Sequence, residues 1–201
     1  MYQLVLDSSN KFLVVGLLKD RKVVDSVYYE AWQRQSEVMV QEIDNLLNKN
    51  KLTRNDLDAV AVGIGPGSYT GVRIAITIAK TIGYALKIKT YAKSSLFLLK
   101  DCKKPTICIY NARSGRSYFA VYEGNKQLVE ECIKTNEEVL DYIKKHSSFA
   151  VNGDVTHLGF ESGKYDVFSN FVDVLNCENL VENIFTLNQI YLNDLTKYFH
   201  L

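Results

Sequence analysis

Residues Gly63 to Leu86 read GIGPGSYTGVRIAITIAKTIGYAL, a glycine-punctuated loop that runs directly into a long apolar helix. The glycines at positions 65, 67 and 71 permit positive φ angles and close backbone approach, and Pro66 fixes a turn. A strand that ends near Gly63 can therefore reverse sharply into the helix. The rest of the chain can be placed relative to this stretch.

The start of the helix allows two interpretations. Ser68 and Thr70 are candidate N-caps, and a helix N-terminus offers unpaired N–H groups and a positive dipole end to a phosphate or carboxylate. Asp7 ends the first predicted strand, where it either faces such a ligand or forms an Asx turn. The candidate nucleotide or anion site consists of Asp7, Gly65, Gly67, Ser68, Thr70 and Gly71. The alternative is a tight structural turn without a ligand, since the Walker pattern and its lysine are absent.

The helix after the loop carries apolar residues around most of its circumference. An ordinary surface helix has one apolar stripe, so this helix must be covered on two sides. Ala75, Ala79 and Gly83 recur every fourth residue and form a small-residue ridge that lets another helix approach closely. Two alternatives follow: the helix is buried within its own domain, or it lies between its own sheet and a partner protein.

Strand and helix patterns occur twice along the chain. The first set is predicted as strands Tyr2 to Asp7, Phe12 to Leu18 and Val23 to Tyr29, a helix from Arg34 to Asn48, a strand from Ala59 to Gly63, and the central helix. The second set is predicted as strands Thr106 to Tyr110, Ser117 to Tyr122 and Leu128 to Ile133, a helix capped by Thr135 or Asn136 that ends at Lys145, and a strand from Phe149 to Asn152. Other predicted elements are a strand from Ile88 to Tyr91, a short helix from Ser94 to Asp101 and a late helix from Thr186 to Tyr198. We therefore predict an N-terminal subdomain over residues 1–92 and a smaller C-terminal subdomain over residues 93–201.

The composition predicts a globular cytoplasmic protein. The chain has 201 residues, of which 47% are hydrophobic, and a net charge of +1. No run approaches the roughly 20 apolar residues of a membrane span, and the first residues lack the pattern of a signal peptide. Near-neutral charge argues against a free-standing nucleic-acid binder. The cysteines form no C-x-x-C pair, so reduced thiols are expected.

The inventory of reactive groups is sparse. His146, His157 and His200 are scattered, without the spacing of a metal site on one helix face. Asp7 follows the first strand of one set and Asp154 follows the last strand of the other, so a small ATP-dependent kinase with these carboxylates is an open alternative. The stretch from Lys87 to Lys104 is basic, and it is either a solvated face or a source of phosphate contacts.

A duplicated β-β-β-α-β-α unit is typical of the actin-like ATPase superfamily, an α/β class that is ribonuclease H-like and also called ASKHA. The central G-P-G-S-Y-T-G-V-R-I resembles the signature of the bacterial TsaB (YeaZ) family of tRNA threonylcarbamoyladenosine biosynthesis proteins. Weaker matches are Asp7-Ser8 to an Asp-Thr pair, Asn111-Ala112-Arg113 with Gly115 and Tyr118 to a D-A-R-x-G-x-x-Y turn, and Tyr191-Leu192 to a terminal Tyr-Leu-Arg element. The chain departs from the family pattern at Gln35, Asn111 and Asn193. In this interpretation the second unit is reduced.

The resemblance implies a subunit that is not catalytic alone. Such a subunit binds and activates a TsaD-like transferase and works with a TsaE-like ATPase to form N6-threonylcarbamoyladenosine at position 37 of tRNAs that read codons beginning with A. No intrinsic cofactor is implied, because ATP and metal are expected on the partner subunits, and tRNA is reached through the complex. The implied partner interface is built from the first and central helices and consists of Met39, Ile43, Leu46, Ala75, Ala79, Ile82 and Gly83. Besides the kinase, a homodimer whose shared helix is only structural remains open.

Overall fold

A computed structural model describes residues 1–31 and 33–192 as a mixed α/β fold with two sheets. The first sheet comprises β1 (Tyr2–Asp7), β2 (Phe12–Lys19), β3 (Lys22–Glu30), β4 (Leu57–Gly63) and β5 (Lys89–Lys93), in the spatial order β3-β2-β1-β4-β5. The second comprises β6 (Thr106–Arg113), β7 (Arg116–Glu123), β8 (Lys126–Thr135) and β9 (Ala150–Gly153), in the order β8-β7-β6-β9. The α-helices are α1 (Gln35–Lys49), α2 (Tyr69–Leu86), α3 (Asn136–Lys145) and α4 (Val167–Val174).

The two sheets repeat one topology. In the first, β1, β2 and β3 form an antiparallel meander, and β4 returns parallel to β1, so that Val5 lies between Gly16 and Ala61. In the second, β6, β7 and β8 form the meander and β9 returns parallel to β6, so that Cys108 lies between Ala120 and Asn152. This repetition confirms the predicted duplicated α/β class. The second sheet lacks a counterpart of β5 among the described residues, in agreement with a reduced second unit.

Three apolar clusters hold the layers together. One face of the first sheet, which includes Leu4 and Leu6, packs against α1 and α2. Its opposite face, which includes Val5, packs against the second sheet and α4. The far face of the second sheet packs against α3 through Phe119 and Val139. Strands buried on both faces need nearly continuous apolar sequence, and β1 and β4 have it. The two halves share one apolar interface, and their division at residue 92 stays a prediction.

Both predicted meanders, α1 and α3 are confirmed. Thr135 caps α3: its Oγ1 accepts from the Glu138 backbone N–H at 3.2 Å, while the Glu138 carboxylate accepts from the Thr135 N–H at 2.8 Å. This reciprocal pair is a capping box, which satisfies two N–H groups that the helix leaves unpaired.

Two helix predictions were wrong and one helix was missed. The segment from Ser94 to Asp101 forms only a 3₁₀ turn at Phe97–Leu99, because the Asn170 side chain takes the carbonyls of Leu98 and Lys100 at 2.9 Å each. The late helix from Thr186 is replaced by a 3₁₀ turn at Ile184–Thr186 and irregular chain to residue 192; its remainder, 193–198, lies outside the described residues. The missed helix, α4, has only eight residues, too few to show a period.

Candidate functional site

The loop between β4 and α2 leads directly into the start of the helix, as the sequence predicts. Ser68 is the N-cap, because its Oγ accepts a hydrogen bond from the Gly71 backbone N–H at 3.3 Å. Thr70, the other candidate, lies inside the first turn and is exposed. One of the four unpaired N–H groups at this helix start is therefore satisfied within the chain.

The glycines of the loop allow it to pack against the turn between β1 and β2. The Ser68 backbone N–H donates to the Ser9 carbonyl at 2.6 Å, and the Ser8 hydroxyl donates to the Gly71 carbonyl at 2.7 Å. A Cβ atom at Gly67 would overlap the Ser9 carbonyl oxygen, and one at Gly71 would overlap that of Ser8. Close backbone approach therefore accounts for both glycines.

Asp7 lies beneath this contact and is only 2% exposed. Its Oδ1 accepts from the Ser9 backbone N–H at 3.0 Å and from the Ser9 hydroxyl at 2.7 Å, and its Oδ2 accepts from the Ser95 hydroxyl at 2.6 Å. Burial raises the pKa of Asp7, and the hydrogen bonds from Ser95 and Ser9 partly oppose this rise. The bond to the N–H two residues on forms the Asx turn. Chain packing thus explains the loop without a ligand, and the nucleotide or anion site stays a prediction.

We expect Gly71→Ala to destabilise the chain although alanine favours helix. Alanine normally gains about 1 kcal/mol over glycine inside a helix, but here its Cβ would push the Ser8 carbonyl away from the helix start. The expected loss is about 3 kcal/mol in the free energy of unfolding, measured by urea denaturation. The control Thr81→Ala, exposed on the same helix, should be neutral or slightly stabilising. Equal stability of the two variants would contradict the close packing.

Most residues of the predicted partner interface are buried in the chain's own core, and the interface itself stays a prediction. Ala75 and Ala79 are fully buried in the core beneath α1 and α2, and Gly83 is buried against Thr90 of β5. The small-residue ridge therefore lets α2 lie close to its own sheet, rather than to a partner helix. The α1 members of the set are buried in the same core: Met39, Ile43 and Leu46. Ile82 is partly buried and packs against that core.

The neighbouring face of the same two helices is open to solvent. Val40 on α1 is 59% exposed, and Tyr69 at the start of α2 is 52% exposed. Between the helices runs a shallow groove lined by Ser36, Val40, Tyr69, Thr70, Arg73, Ile74, Thr77 and Ile78. Its floor is aliphatic and its margin is polar, with the Arg73 guanidinium stacked over the Tyr69 ring at 4.6 Å. We call this groove and its rim the α1–α2 face.

A segment near the C-terminus borders the α1–α2 face, and sequence reasoning missed it. Residues 184–191 lie along α2, where Lys80 Nζ donates to the carbonyls of Phe185 at 3.3 Å and Leu187 at 3.2 Å. Two aromatic pairs join the segment to the helix, Tyr84 with Phe185 at 5.3 Å and Tyr69 with Tyr191 at 6.2 Å. The sequence offered a late helix from Thr186 and the Tyr191-Leu192 element here, but neither predicted the contact with α2. Asn193 lies outside the described residues.

The positions at which the chain departs from the family pattern have structural contacts. Gln35, the first residue of α1, is buried, and its Nε2 donates to the Asn10 carbonyl at 3.1 Å. Asn111 is exposed, and its Oδ1 accepts from the Arg113 backbone N–H at 2.8 Å within the β6–β7 hairpin. Gln35 therefore ties the start of α1 to the turn between β1 and β2, and Asn111 stabilises the turn between β6 and β7.

The basic stretch does not form one solvated face. Lys100 is almost fully buried, and its Nζ pairs with Asp173 Oδ2 at 2.7 Å. Lys93 Nζ lies over the Phe97 ring at 5.3 Å.

Within residues 1–31 and 33–192, no three His, Cys, Asp or Glu side chains are grouped to hold a metal ion. No helix in the same part of the chain is long and apolar enough to cross a membrane.

Comparison with solved structures defines the class of the fold. A Pseudomonas aeruginosa structure described as similar to peptidase YEAZ matches with a TM-score of 0.83 at 21% identity, over 96% of this chain and 99% of that chain. A second, described as YeaZ from the same organism, matches with a TM-score of 0.78 at 20% identity, over 95% and 99%. A family model described as TsaD, tRNA N6-adenosine threonylcarbamoyltransferase, matches residues 29–187. The chain therefore has the actin-like ATPase superfamily fold.

Sequence relatives define the family. The Bacillus subtilis tRNA threonylcarbamoyladenosine biosynthesis protein TsaB is 32% identical over 141 residues, which cover 68% of this chain and 62% of that protein. The Buchnera aphidicola protein of the same description is 32% identical over 154 residues, 71% of this chain and 72% of that protein. The chain belongs to the TsaB (YeaZ) family. Its match spans less than two-thirds of the length of the B. subtilis relative.

Proposed function

We propose that this chain is the non-catalytic subunit of a complex that forms N6-threonylcarbamoyladenosine at position 37 of tRNAs reading codons beginning with A. It binds a TsaD-like catalytic subunit through the α1–α2 face and so activates it. A TsaE-like ATPase is the further partner, and tRNA is reached through the complex. The observation that carries this proposal is the open apolar groove between α1 and α2.

The exposure pattern of the two helices supports a partner contact at this face. Val40 and Tyr69 expose more than half of their surface, while Ile74 and Ile78 form the partly buried floor between them. A contiguous exposed apolar patch with a polar rim is typical of a protein interaction site. A groove between two helices accepts an amphipathic helix of a partner. The buried ridge beneath keeps both helices in place and so preorganises the groove.

The burial and hydrogen bonding of Asp7 support a role of the chain outside catalysis. A kinase of this superfamily would need Asp7 to hold magnesium or the attacking group. Here the carboxylate is buried, and both of its oxygens accept hydrogen bonds from Ser9 and Ser95. This arrangement favours the binding subunit over the kinase alternative.

We expect Val40→Arg to abolish binding to the TsaD-like subunit while leaving the chain folded. Val40 is exposed, so arginine is tolerated in the free chain, but in the complex its charge would be buried in an apolar contact. The expected effect is at least about a hundredfold rise in Kd, equivalent to about 2.7 kcal/mol. Calorimetric titration of the purified catalytic subunit measures it.

The matched control is Leu128→Arg, which places the same charge on an exposed apolar site of β8. Its Kd is expected to equal that of the unchanged chain. If both variants bind normally, the catalytic subunit does not use the α1–α2 face. If neither the variants nor the unchanged chain bind, the proposed partner is wrong.

A further inference from the structure

A recess separate from the α1–α2 face lies at the C-terminal end of α2. The last turn of that helix, the turn into β5 and residues 180–184 border an open space of about 560 Å³. Its size is within the roughly 300–1,000 Å³ that is typical of ligand sites. Residues 180–184 are held there because the Val181 backbone N–H donates to the Thr90 carbonyl at 2.8 Å. We call this space the α2–β5 recess, and it shares no lining residue with the α1–α2 face.

The walls of the recess that belong to α2 and β5 come from a stretch without acidic residues. Residues 59–100 contain no Asp or Glu, although the whole chain is nearly neutral. Lys87 and Lys89 line the recess and are exposed to solvent. Within residues 1–31 and 33–192, neither ammonium group has an ion-pair or hydrogen-bond partner. Two unpaired cations at one recess attract an anionic ligand.

An exposed aromatic pair belongs to the same end of α2. Tyr84 lines the recess and is 64% exposed, and Phe185 is 67% exposed. The two rings meet edge to face with centroids 5.3 Å apart, an arrangement that leaves ring faces free. Proteins hold single-stranded nucleic acid by stacking its bases on exposed aromatic rings and placing cations along its phosphates. The recess combines both kinds of group.

The recess also offers hydrogen-bond acceptors. The Lys87 amide bonds to the carbonyls of Gly83 and Tyr84, and no amide in the described part of the chain reaches the Ala85 carbonyl. Glu182 adds a carboxylate to the lining. These groups disfavour an anion but accept from the amino and imino N–H groups of a base. A nucleotide carries both a donor-bearing base and an anionic phosphate, so it matches the two kinds of lining.

We propose that the α2–β5 recess binds an unpaired nucleotide of an RNA strand. The base stacks on Tyr84 and donates to Glu182, while the flanking phosphates contact Lys87 and Lys89. The choice of RNA rests on the proposed function, since tRNA is the substrate of that complex. Tyr84 lies about 22 Å along α2 from Tyr69 of the α1–α2 face, so the RNA and the catalytic partner would contact different ends of one helix.

Fluorescence anisotropy of a labelled adenylate RNA of about twelve nucleotides, titrated with the full chain to about 1 mM, tests the proposal. The unchanged chain is expected to bind within this range. The double variant Lys87→Gln with Lys89→Gln should raise the Kd at least about tenfold. It should also reduce the slope of log Kd against log salt concentration by about 1.4, because each phosphate contact on a single strand contributes about 0.7.

Tyr84 gives an independent signature, because its ring carries no charge. Tyr84→Ala is expected to raise the Kd at least about fivefold without changing the salt slope, since it removes only stacking. Tyr84→Phe keeps the ring and should bind within about twofold of the unchanged chain. The matched control Lys126→Gln removes an exposed lysine of β8 and should leave both quantities unchanged. Melting curves check that each variant remains folded.

Absence of binding contradicts the proposal, and so does binding that the variants at Lys87, Lys89 and Tyr84 leave unchanged. Equal affinity for duplex RNA would also contradict it, because paired bases are not free to stack on Tyr84. Competition by AMP as strong as that of the RNA, nucleotide for nucleotide, would make the recess a site for free nucleotides and overturn the choice of RNA.

Titration of the TsaD-like subunit separates this proposal from the proposed function. The double lysine variant should bind that subunit with unchanged Kd, because neither lysine lines the α1–α2 face. A raised Kd would place the lysines at the partner contact and contradict the RNA site. RNA binding that responds to the variants supports the recess even if the TsaD-like subunit fails to bind, so the two proposals can fail separately.

Discussion

Ala79→Arg is expected to unfold the chain rather than merely weaken a partner contact. Ala79 is 0% exposed in the core beneath α1 and α2, where an arginine would be buried without a partner for its charge. Such a charge costs about 3–5 kcal/mol, a large part of the roughly 5–15 kcal/mol that stabilises a domain. Urea denaturation should therefore show a variant that is mostly unfolded or marginally stable at 25 °C.

The matched variant Thr81→Arg lies on the same helix with its side chain in solvent, and its free energy of unfolding should change by less than about 0.5 kcal/mol. Comparing the two variants shows whether Ala79 lies in the core or at a partner interface. If Ala79→Arg keeps its stability and loses only the catalytic partner, then Ala79 faces that partner and the interface predicted from the sequence is restored.

The repeated fold was predictable because its signals are local. Buried strands such as β1 and β4 are short apolar runs, and the glycines at positions 65 and 67 predict a sharp turn into a helix. Strong periodicity likewise predicted α1 and α3. Each of these signals depends on neighbours within a few residues, and a sequence displays such neighbours directly.

The packing of α2 was harder to predict, because periodicity shows that a helix has two apolar sides without showing what covers each. Ala75 and Ala79 form a ridge that suits a partner helix or the chain's own sheet equally well. The structure assigns the ridge to the sheet and leaves Val40 and Ile74 at the groove. The distinction depends on contacts between elements that are distant in sequence.

The contact of residues 184–191 with α2 had no local signal, although a late helix was predicted from Thr186. The position of this segment depends on Lys80, which binds the carbonyls of Phe185 and Leu187 more than one hundred residues later. Its 3₁₀ turn is too short to produce a helical period. Similarly, the ion pair with Asp173 places Lys100, one residue of an apparently basic surface, inside the fold.

Depletion of this chain from its cells is expected to remove N6-threonylcarbamoyladenosine from tRNA as completely as loss of the catalytic subunit does. The reason lies in the proposed mechanism: binding at the α1–α2 face stabilises the active state of the partner, so without this chain that state is scarcely populated. A ligand shifts such an equilibrium only by its difference in affinity for the two states. The effect should therefore depend on the exposed residues of the groove.

Complementation separates the groove from other surfaces of the chain. Val40→Arg should fail to restore the modified nucleoside in depleted cells, because its charge blocks the proposed contact. Leu128→Arg should restore it, because β8 lies outside the groove. Immunoblots must show equal amounts of each variant for the comparison to hold.

The most direct test of the proposed function is mass spectrometry of nucleosides from digested tRNA, with and without the chain. We predict that N6-threonylcarbamoyladenosine disappears on depletion and returns with the unchanged chain and with Leu128→Arg, but not with Val40→Arg. An unchanged amount of this nucleoside after complete depletion would contradict the account, because a required activating subunit cannot be dispensable for the product of its complex.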